Sequence, residues 1–309
     1  MGEQWFLFFK RCFGWGALLM GTFGLCTLLG PPITSVDLVG ALVAKHKRLA
    51  SAPSPRIIII GGSNTMFGVN SPLLEKATGR SVVNMGLHAS LGYGFMCREL
   101  DGALRPGDIV LAMPEHSQYA KPEKLEIILY SAMDLYPGTL GHIPAIKRPQ
   151  LLLNYAVLKT QRCWKEVTGK RRTSGDPIYR ASGFNAQGDM IAHEGLASRG
   201  IDRERRIRAI NIDPVFWQLT DALEQEVTRA GAELVFALPA MPLSLSVAAH
   251  DSLIVASLQQ HGYAVLDNVD QRTFKNSDFF DSKYHLMPAA RDERTRWLVK
   301  ALSQRRSRR

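Results

Sequence analysis

Residues 56–64 read RIIIIGGSN, and this stretch decides the fold class. Ile57 to Ile60 are four consecutive β-branched residues, a run that is typical of a central strand buried on both faces. The glycine pair that follows ends the run and permits a tight turn. Functional groups in a parallel α/β sheet collect beyond the carboxyl ends of its strands. The stretch therefore predicts a buried parallel strand with Ser63 exposed just after it.

Strand and helix patterns alternate on both sides of a long irregular segment. Further strands are predicted at 81–84, 108–113, 233–238 and 263–266, and helices at 71–78, 92–104, 213–230, 246–261 and 288–302. Residues 114–212 are rich in proline, glycine and basic residues, and we interpret them as an insertion over one edge of the sheet, with a helix at 151–167. The order predicts an α/β domain over 56–302 with three α/β/α layers and a five-stranded parallel sheet.

The N-terminus carries an apolar segment with no charged residue between Arg11 and Asp37. About 20 apolar residues suffice for a helix to span a bilayer. A cleaved signal peptide and a buried core helix are the alternatives. The first lacks a small-residue cleavage site after the run, and the glycines with Pro31-Pro32 disfavour the second. We predict a single-pass anchor over 1–36 and a linker over 37–55. Basic residues flank the segment almost equally, so they do not decide its orientation.

The net charge of +10 lies in scattered clusters and in a basic tail over 303–309. Nucleic acid is disfavoured as a partner because no basic stripe carries interleaved aromatic residues. An anionic membrane surface, an acidic polymer or a plainly solvated surface fits the charge equally well. No spacing of metal ligands emerges, and neither a metal nor another cofactor is expected. The four cysteines include no CxxC pair; a disulfide between Cys97 and Cys163 is permitted but not required.

A second polar block lies near the end of the chain, where residues 278–286 read DFFDSKYHL. A serine becomes nucleophilic when a histidine removes its proton and a carboxylate orients that histidine. Asp281 and His285 are close enough in sequence to share one loop before the last helix. We expect Ser63 and this loop to meet at the same edge of the sheet.

This layout resembles the SGNH, or GDSL, hydrolases. Gly61-Gly62-Ser63-Asn64 matches their first block with Gly62 in place of an aspartate, and Asn84-Met85-Gly86 resembles their second block. Asp281 and His285 match the last block with one extra residue between them. The resemblance implies a flavodoxin-like fold, with Ser63 as nucleophile, His285 as general base and Asp281 as its orienting partner. It also implies an oxyanion hole formed by the backbone N–H groups of Ser63 and Gly86.

The third family block departs from this pattern, because Pro114-Glu115-His116-Ser117 follows the third strand where the family carries an asparagine. Either Asn64, Asn70 or Asn84 replaces that donor, or the oxyanion hole is incomplete. One preorganised donor contributes roughly 3 kcal/mol to catalysis. Glu115 either contacts substrate or makes a structural hydrogen bond to a neighbouring loop.

Three further features are similar to one branch of the superfamily, which serves polysaccharide assembly in bacterial envelopes. They are the anchor, the stretch PGDIVLAMPEHSQY over 106–119, and the YHL of the last block. This resemblance implies a serine esterase or O-acyltransferase, acting on an envelope polysaccharide or exopolysaccharide. It implies a site at the bacterial inner membrane, with the body in the periplasm and with polysaccharide synthase or secretion proteins as partners. The alternative is a catalytically degenerate module that binds glycan or acts as a scaffold.

Overall fold

The computed structural model describes residues 2–32, 37–123, 126–169, 176–207, 210–266 and 272–306. The strands are β1 (Arg56–Gly61), β2 (Ser81–Asn84), β3 (Ile109–Met113), β4 (Glu233–Phe236), β5 (Met241–Pro242), β6 (Ala264–Val265) and β7 (Thr273–Phe274). The helices are α1 (Gly2–Leu29), α2 (Ala41–Ser51), α3 (Ser63–Gly68), α4 (Ser71–Thr78), α5 (Tyr93–Arg98), α6 (His116–Ala120), α7 (Ile127–Leu135), α8 (Arg148–Val167), α9 (Pro214–Arg229), α10 (Ala248–Gln260) and α11 (Pro288–Arg306).

Five strands form one parallel sheet in the order β2-β1-β3-β4-β6. The predicted five-stranded parallel sheet is therefore confirmed, with β3 at its centre and β1 between β2 and β3. The strands β5 and β7 form a separate two-stranded parallel ladder beyond the end of β4. Because all five main strands point the same way, their carboxyl ends meet at one edge of the sheet.

The isoleucine run of β1 is buried on both faces of the sheet, as expected. Ile58 and Ile60 pack into a core with side chains of α5 and α9, whereas Ile57 and Ile59 pack into a second core with side chains of α4 and α11. All four isoleucines are at most 1% exposed. Helices thus cover both faces, and the domain has three layers.

A buried ion pair joins the starts of β1 and β3. The guanidinium of Arg56 donates to Asp108, with 3.1 Å between Nε and Oδ2, and the backbone N–H of Arg56 donates to Oδ1 of the same carboxylate at 2.8 Å. Burial disfavours the charged carboxylate, but these hydrogen bonds outweigh it and lower the pKa of Asp108. The pair holds the two central strands in register at the edge opposite to Ser63.

The structure differs from the sequence-based assignment in several places. The segment assigned as a linker, 37–55, contains α2, which buries Leu42 and Leu49 in the main core. Helix α4 is capped by the side chain of Asn70, which accepts from the N–H of Leu73. Helix α11 continues to Arg306, into the segment described as a basic tail. The side chain of Asp213 caps the start of α9, where it accepts from the N–H of Val215.

One helix in the described part of the chain, at Glu3–Leu29, is long and apolar enough to cross a membrane. Its last two turns pack against α8, and its earlier residues are exposed. All four cysteines are free. The disulfide that the sequence permits is not formed, because Cys163 lies against Cys26 of α1 while Cys97 is buried beside Tyr93.

Candidate functional site

Ser63 is the first residue of α3, directly after β1 and its glycine pair. Ser63 is partly exposed, whereas the residues on either side of it are buried. Gly62 is required here for a steric reason: a Cβ at this position would clash with the side chain of Glu115 and approach Ala89 to 3.0 Å. The missing side chain at position 62 thus makes room for a carboxylate from the neighbouring strand end.

The Ser63 hydroxyl donates a hydrogen bond to Oε1 of Glu115, which follows β3, at 3.1 Å. The backbone N–H of Asn64 donates to the same oxygen at 3.3 Å. Glu115 is 6% exposed. Burial raises the pKa of Glu115, and the nearby charge of His285 and the hydrogen bonds from Asn64 and Ser63 partly oppose this. A buried carboxyl with a raised pKa is a suitable proton acceptor for a serine.

Asp281 and His285 form a hydrogen-bonded pair, with 2.7 Å between Oδ1 and Nδ1. A tight loop brings the two side chains together although the spacing is one residue longer than in the family motif. The N–H of Phe280 donates to the carbonyl of His285 at 2.7 Å, and the N–H of His285 donates to the carbonyl of Ser282. Burial disfavours ionised Asp281, but hydrogen bonds from His285 and Tyr179 outweigh it and lower the pKa of Asp281. The carboxylate is therefore ionised and can orient the imidazole.

The two halves of the site meet through Phe67, one turn after Ser63 on α3. Its ring stacks on the imidazole of His285, with 4.0 Å between ring centroids and 14° between planes. His285 also lies close enough to Glu115 to influence its ionisation. The expectation that the Ser63 turn and the Asp281 loop share one sheet edge is thus met. Among the described residues, however, no hydrogen bond links Ser63 directly to His285.

Tyr179, from the insertion, is a site residue that sequence reasoning missed. Its hydroxyl donates to Oδ2 of Asp281 at 2.7 Å and lies 3.1 Å from Nδ1 of His285. Burial, together with this bond to a carboxylate, raises the pKa of Tyr179, so the phenol stays protonated. Nothing in the spacing of the insertion points to this tyrosine, because its partner lies about a hundred residues further along the chain.

The residues expected to form an oxyanion hole are already engaged. The N–H of Gly86 donates to Oδ1 of Asn84 at 3.0 Å, and Nδ2 of Asn84 donates to Thr65 and Asp189. The side chain of Asn64 donates to the carbonyl of Met113 at 3.0 Å. These asparagines therefore tie the loops together in the buried layer beneath the site. The backbone N–H of Asn64 does face the site, where it donates to Glu115.

A second buried network adjoins the first through consecutive residues in both loops. His116 follows Glu115 and makes a bond of 2.6 Å between Nε2 and Oδ1 of Asp251, while its Nδ1 lies 3.0 Å from the hydroxyl of Tyr284. Burial lowers the pKa of His116, so the ring is neutral, donates to Asp251 and accepts from Tyr284. Arg272 pairs with Asp251 from the other side. This network fixes Tyr284, and hence the loop that carries His285.

Among the described residues, no group of three or more histidine, cysteine, aspartate and glutamate side chains is arranged to hold a metal ion. The groups that meet at this site are two hydroxyls, of Ser63 and Tyr179, two carboxyl groups and one imidazole.

Comparison of the chain with protein-family models finds no match. A search of curated proteins finds no match either.

Proposed function

We propose that this protein is an SGNH-like serine esterase or O-acyltransferase that acts on an acylated polysaccharide of the bacterial envelope. One observation carries the proposal. The hydroxyl of Ser63, the buried carboxyl of Glu115 and the Asp281–His285 pair lie together at the carboxyl edge of a parallel sheet. A partly exposed serine within reach of acid–base groups is an arrangement that supports acyl transfer.

The chemistry starts from the hydrogen bond that Ser63 makes. Ser63 Oγ attacks the acyl carbonyl, and its proton passes to Glu115 Oε1, the acceptor that it already faces. Protonated His285, held by Asp281, gives a proton to the departing oxygen, so the acyl group is left on Ser63. An incoming water or sugar hydroxyl then loses its proton to His285 and takes the acyl group. The Ser63 oxygen recovers its proton from Glu115, and both acid–base groups return to their initial state.

The substrate class rests on the resemblance of the sequence blocks, with support from surface charge. Exposed Arg203 and Arg205 lie beside the His285 loop, where Lys283 donates to the carbonyl of Arg205 at 3.1 Å. Arginines at the rim of a site attract anionic polymers. We propose a periplasmic body anchored in the inner membrane by α1, next to polysaccharide synthase or secretion proteins.

A fluorophosphonate probe tests this function, because it labels only activated serines. Purified chain is incubated with the probe, and the labelled residue is identified by peptide mass spectrometry. Labelling of wild type at Ser63, lost in Ser63→Ala and strongly reduced in His285→Ala, is expected. Ser90→Ala, at a partly buried serine on the neighbouring loop, serves as matched control and should label as wild type does. Folded wild type that is not labelled, and that releases no acetate from acetylated glycans, would rule out the enzyme.

A second candidate is a non-catalytic glycan-binding or scaffold module. It is favoured by two contacts: Ser63 donates to Glu115 and not to His285, and the Gly86 N–H is engaged by Asn84. In that reading Glu115 fills the place that an oxyanion would occupy. Retention of the unlabelled, folded protein on an immobilised envelope polysaccharide, unchanged by Ser63→Ala, would support it.

A further inference from the structure

Helix α8 exposes a stripe of large apolar side chains. Leu153 is 60% exposed, Trp164 67% and Val167 78%, and Val157 is 40% exposed. Spacings of four, seven and three residues place all four on one face of a helix. We refer to these four residues as the α8 stripe. Scattered exposed apolar residues are ordinary, but a continuous strip of this size marks an interaction surface.

The α8 stripe lies directly beside α1. Thr160, which falls between Val157 and Trp164 on the same face, has its Oγ1 3.3 Å from that of Thr27. Thr27 also lies 3.4 Å from the carbonyl of Ala156, and Cys26 lies against Cys163. As the residue number falls along α1, it rises along α8, so the two helices are antiparallel.

The contact between the two helices is close. A Cβ at Gly30 would clash with the backbone carbonyl of Lys159, so only glycine permits this approach. The residues of α1 that face α8 are partly buried, whereas Leu25, Leu28 and Leu29 on the other side are exposed. Exposed apolar side chains therefore lie on both helices of the pair, on α1 away from α8 and on α8 in the α8 stripe.

We propose that α8 runs alongside the last turns of α1 at the boundary of the bilayer that α1 spans, with the α8 stripe against lipid. Packing against α1 argues that lipid covers the α8 stripe, because the second half of α8 lies beside the last two turns of α1. The side-chain types agree as well: tryptophan favours the boundary between headgroups and acyl chains, and Lys165 follows Trp164 on an exposed part of the helix. The proposal is independent of catalysis and requires only that α1 is embedded.

Tryptophan fluorescence in vesicles tests the proposal on the full chain. The protein is reconstituted into vesicles of phosphatidylcholine and phosphatidylglycerol, either unmodified or with bromine atoms on the acyl chains near the headgroup. The wild-type spectrum minus that of Trp164→Phe gives the emission of Trp164. We expect Trp164 to lose most of its emission in brominated lipid, and to lose less when the bromine atoms lie near the chain ends.

Two internal controls keep the outcome interpretable. Trp217 stacks on His261 at 3.7 Å on α9, and its emission, obtained from Trp217→Phe, should not depend on bromine. Trp5 and Trp15 of α1 report whether the anchor itself is embedded. If α1 is quenched while Trp164 is quenched only by aqueous acrylamide, the stripe faces water and the proposal fails. If neither quencher reaches Trp164, another copy of the chain covers the stripe, and the lipid assignment is likewise overturned.

Discussion

The hydroxyl of Ser63 points at Glu115, with 3.1 Å between Oγ and Oε1, across the ends of two adjacent parallel strands. Gly62 makes this contact sterically possible, and burial keeps the pKa of the carboxyl raised. The relationship changes what the site can do, because the serine proton has an acceptor other than the imidazole. The first two predictions follow from it.

Glu115→Gln should lower the rate of fluorophosphonate labelling by about a hundredfold, the lower end of what a general base contributes. Glutamine keeps the shape and can accept from Ser63 and Asn64, but it cannot take a proton. The same change should stabilise the fold by about 1 kcal/mol at pH 8. The sign follows from the raised pKa: the folded state holds its proton more tightly, so ionised Glu115 costs stability above its folded pKa. If Glu115→Gln labels at the wild-type rate while labelling of His285→Ala is strongly reduced, Glu115 has only a structural role.

Gly62→Ala should destabilise the protein by roughly 1–3 kcal/mol, the usual cost of overpacking. The new methyl group overlaps the Glu115 carboxylate, while the backbone at position 62 already has a φ of −84° and is not strained. Gly68→Ala, at the last residue of α3 with open space around it, is the control and should be nearly neutral. In chemical denaturation, the cost of Gly62→Ala should shrink when Glu115→Ala is also present. A cost that does not depend on residue 115 would contradict the steric explanation.

Tyr179→Phe should slow labelling of Ser63 about tenfold while the fold persists, because a hydrogen bond to a charged group contributes about 1.5–3 kcal/mol. The lost bond is the one that orients Asp281 towards His285. Tyr155→Phe removes a comparable tyrosine–aspartate bond, to Asp134, away from the site, and should leave the labelling rate unchanged. Equal effects of the two variants on labelling would assign Tyr179 a general structural role.

The fold should lose stability as the pH falls from about 6.5 towards 4, in part because of His193. This residue is fully buried against Phe67 and lies 3.1 Å from the carbonyl of Leu286, and burial lowers its pKa to about 4. Between these two pKa values the unfolded chain binds a proton at His193 that the folded chain does not bind, so lowering the pH favours unfolding. His193→Gln keeps a donor for Leu286 but does not titrate. The free energy of unfolding that this variant loses between pH 7 and 4 should be smaller than the loss in wild type by up to roughly 3 kcal/mol. Parallel curves for the two proteins would contradict the assignment.

Local sequence patterns were enough to predict the parallel sheet and the polar residues that follow β1 and β3. The isoleucine run of β1, the Pro-Gly-Asp turn before β3 and the cap at Asp213 are local signals, because each residue type acts on its own stretch of backbone. The same holds for the apolar helix α1, which is recognised by length and composition alone. The Asp281–His285 pair was also accessible to sequence reasoning, since a five-residue stretch of one loop holds both partners.

The groups that surround Ser63 could not be predicted from the sequence, because they come from distant segments. Glu115 lies 52 residues from Ser63 in sequence, and Tyr179 lies 102 residues from Asp281. Whether such side chains touch depends on strand order and on how the insertion folds back. The sequence likewise assigned α2 to a linker, because its apolar face is short and gains its stability from packing on the sheet and not from helix propensity. Local backbone preferences act within a few residues, whereas a site of this kind is assembled by packing between segments that only the complete fold brings together.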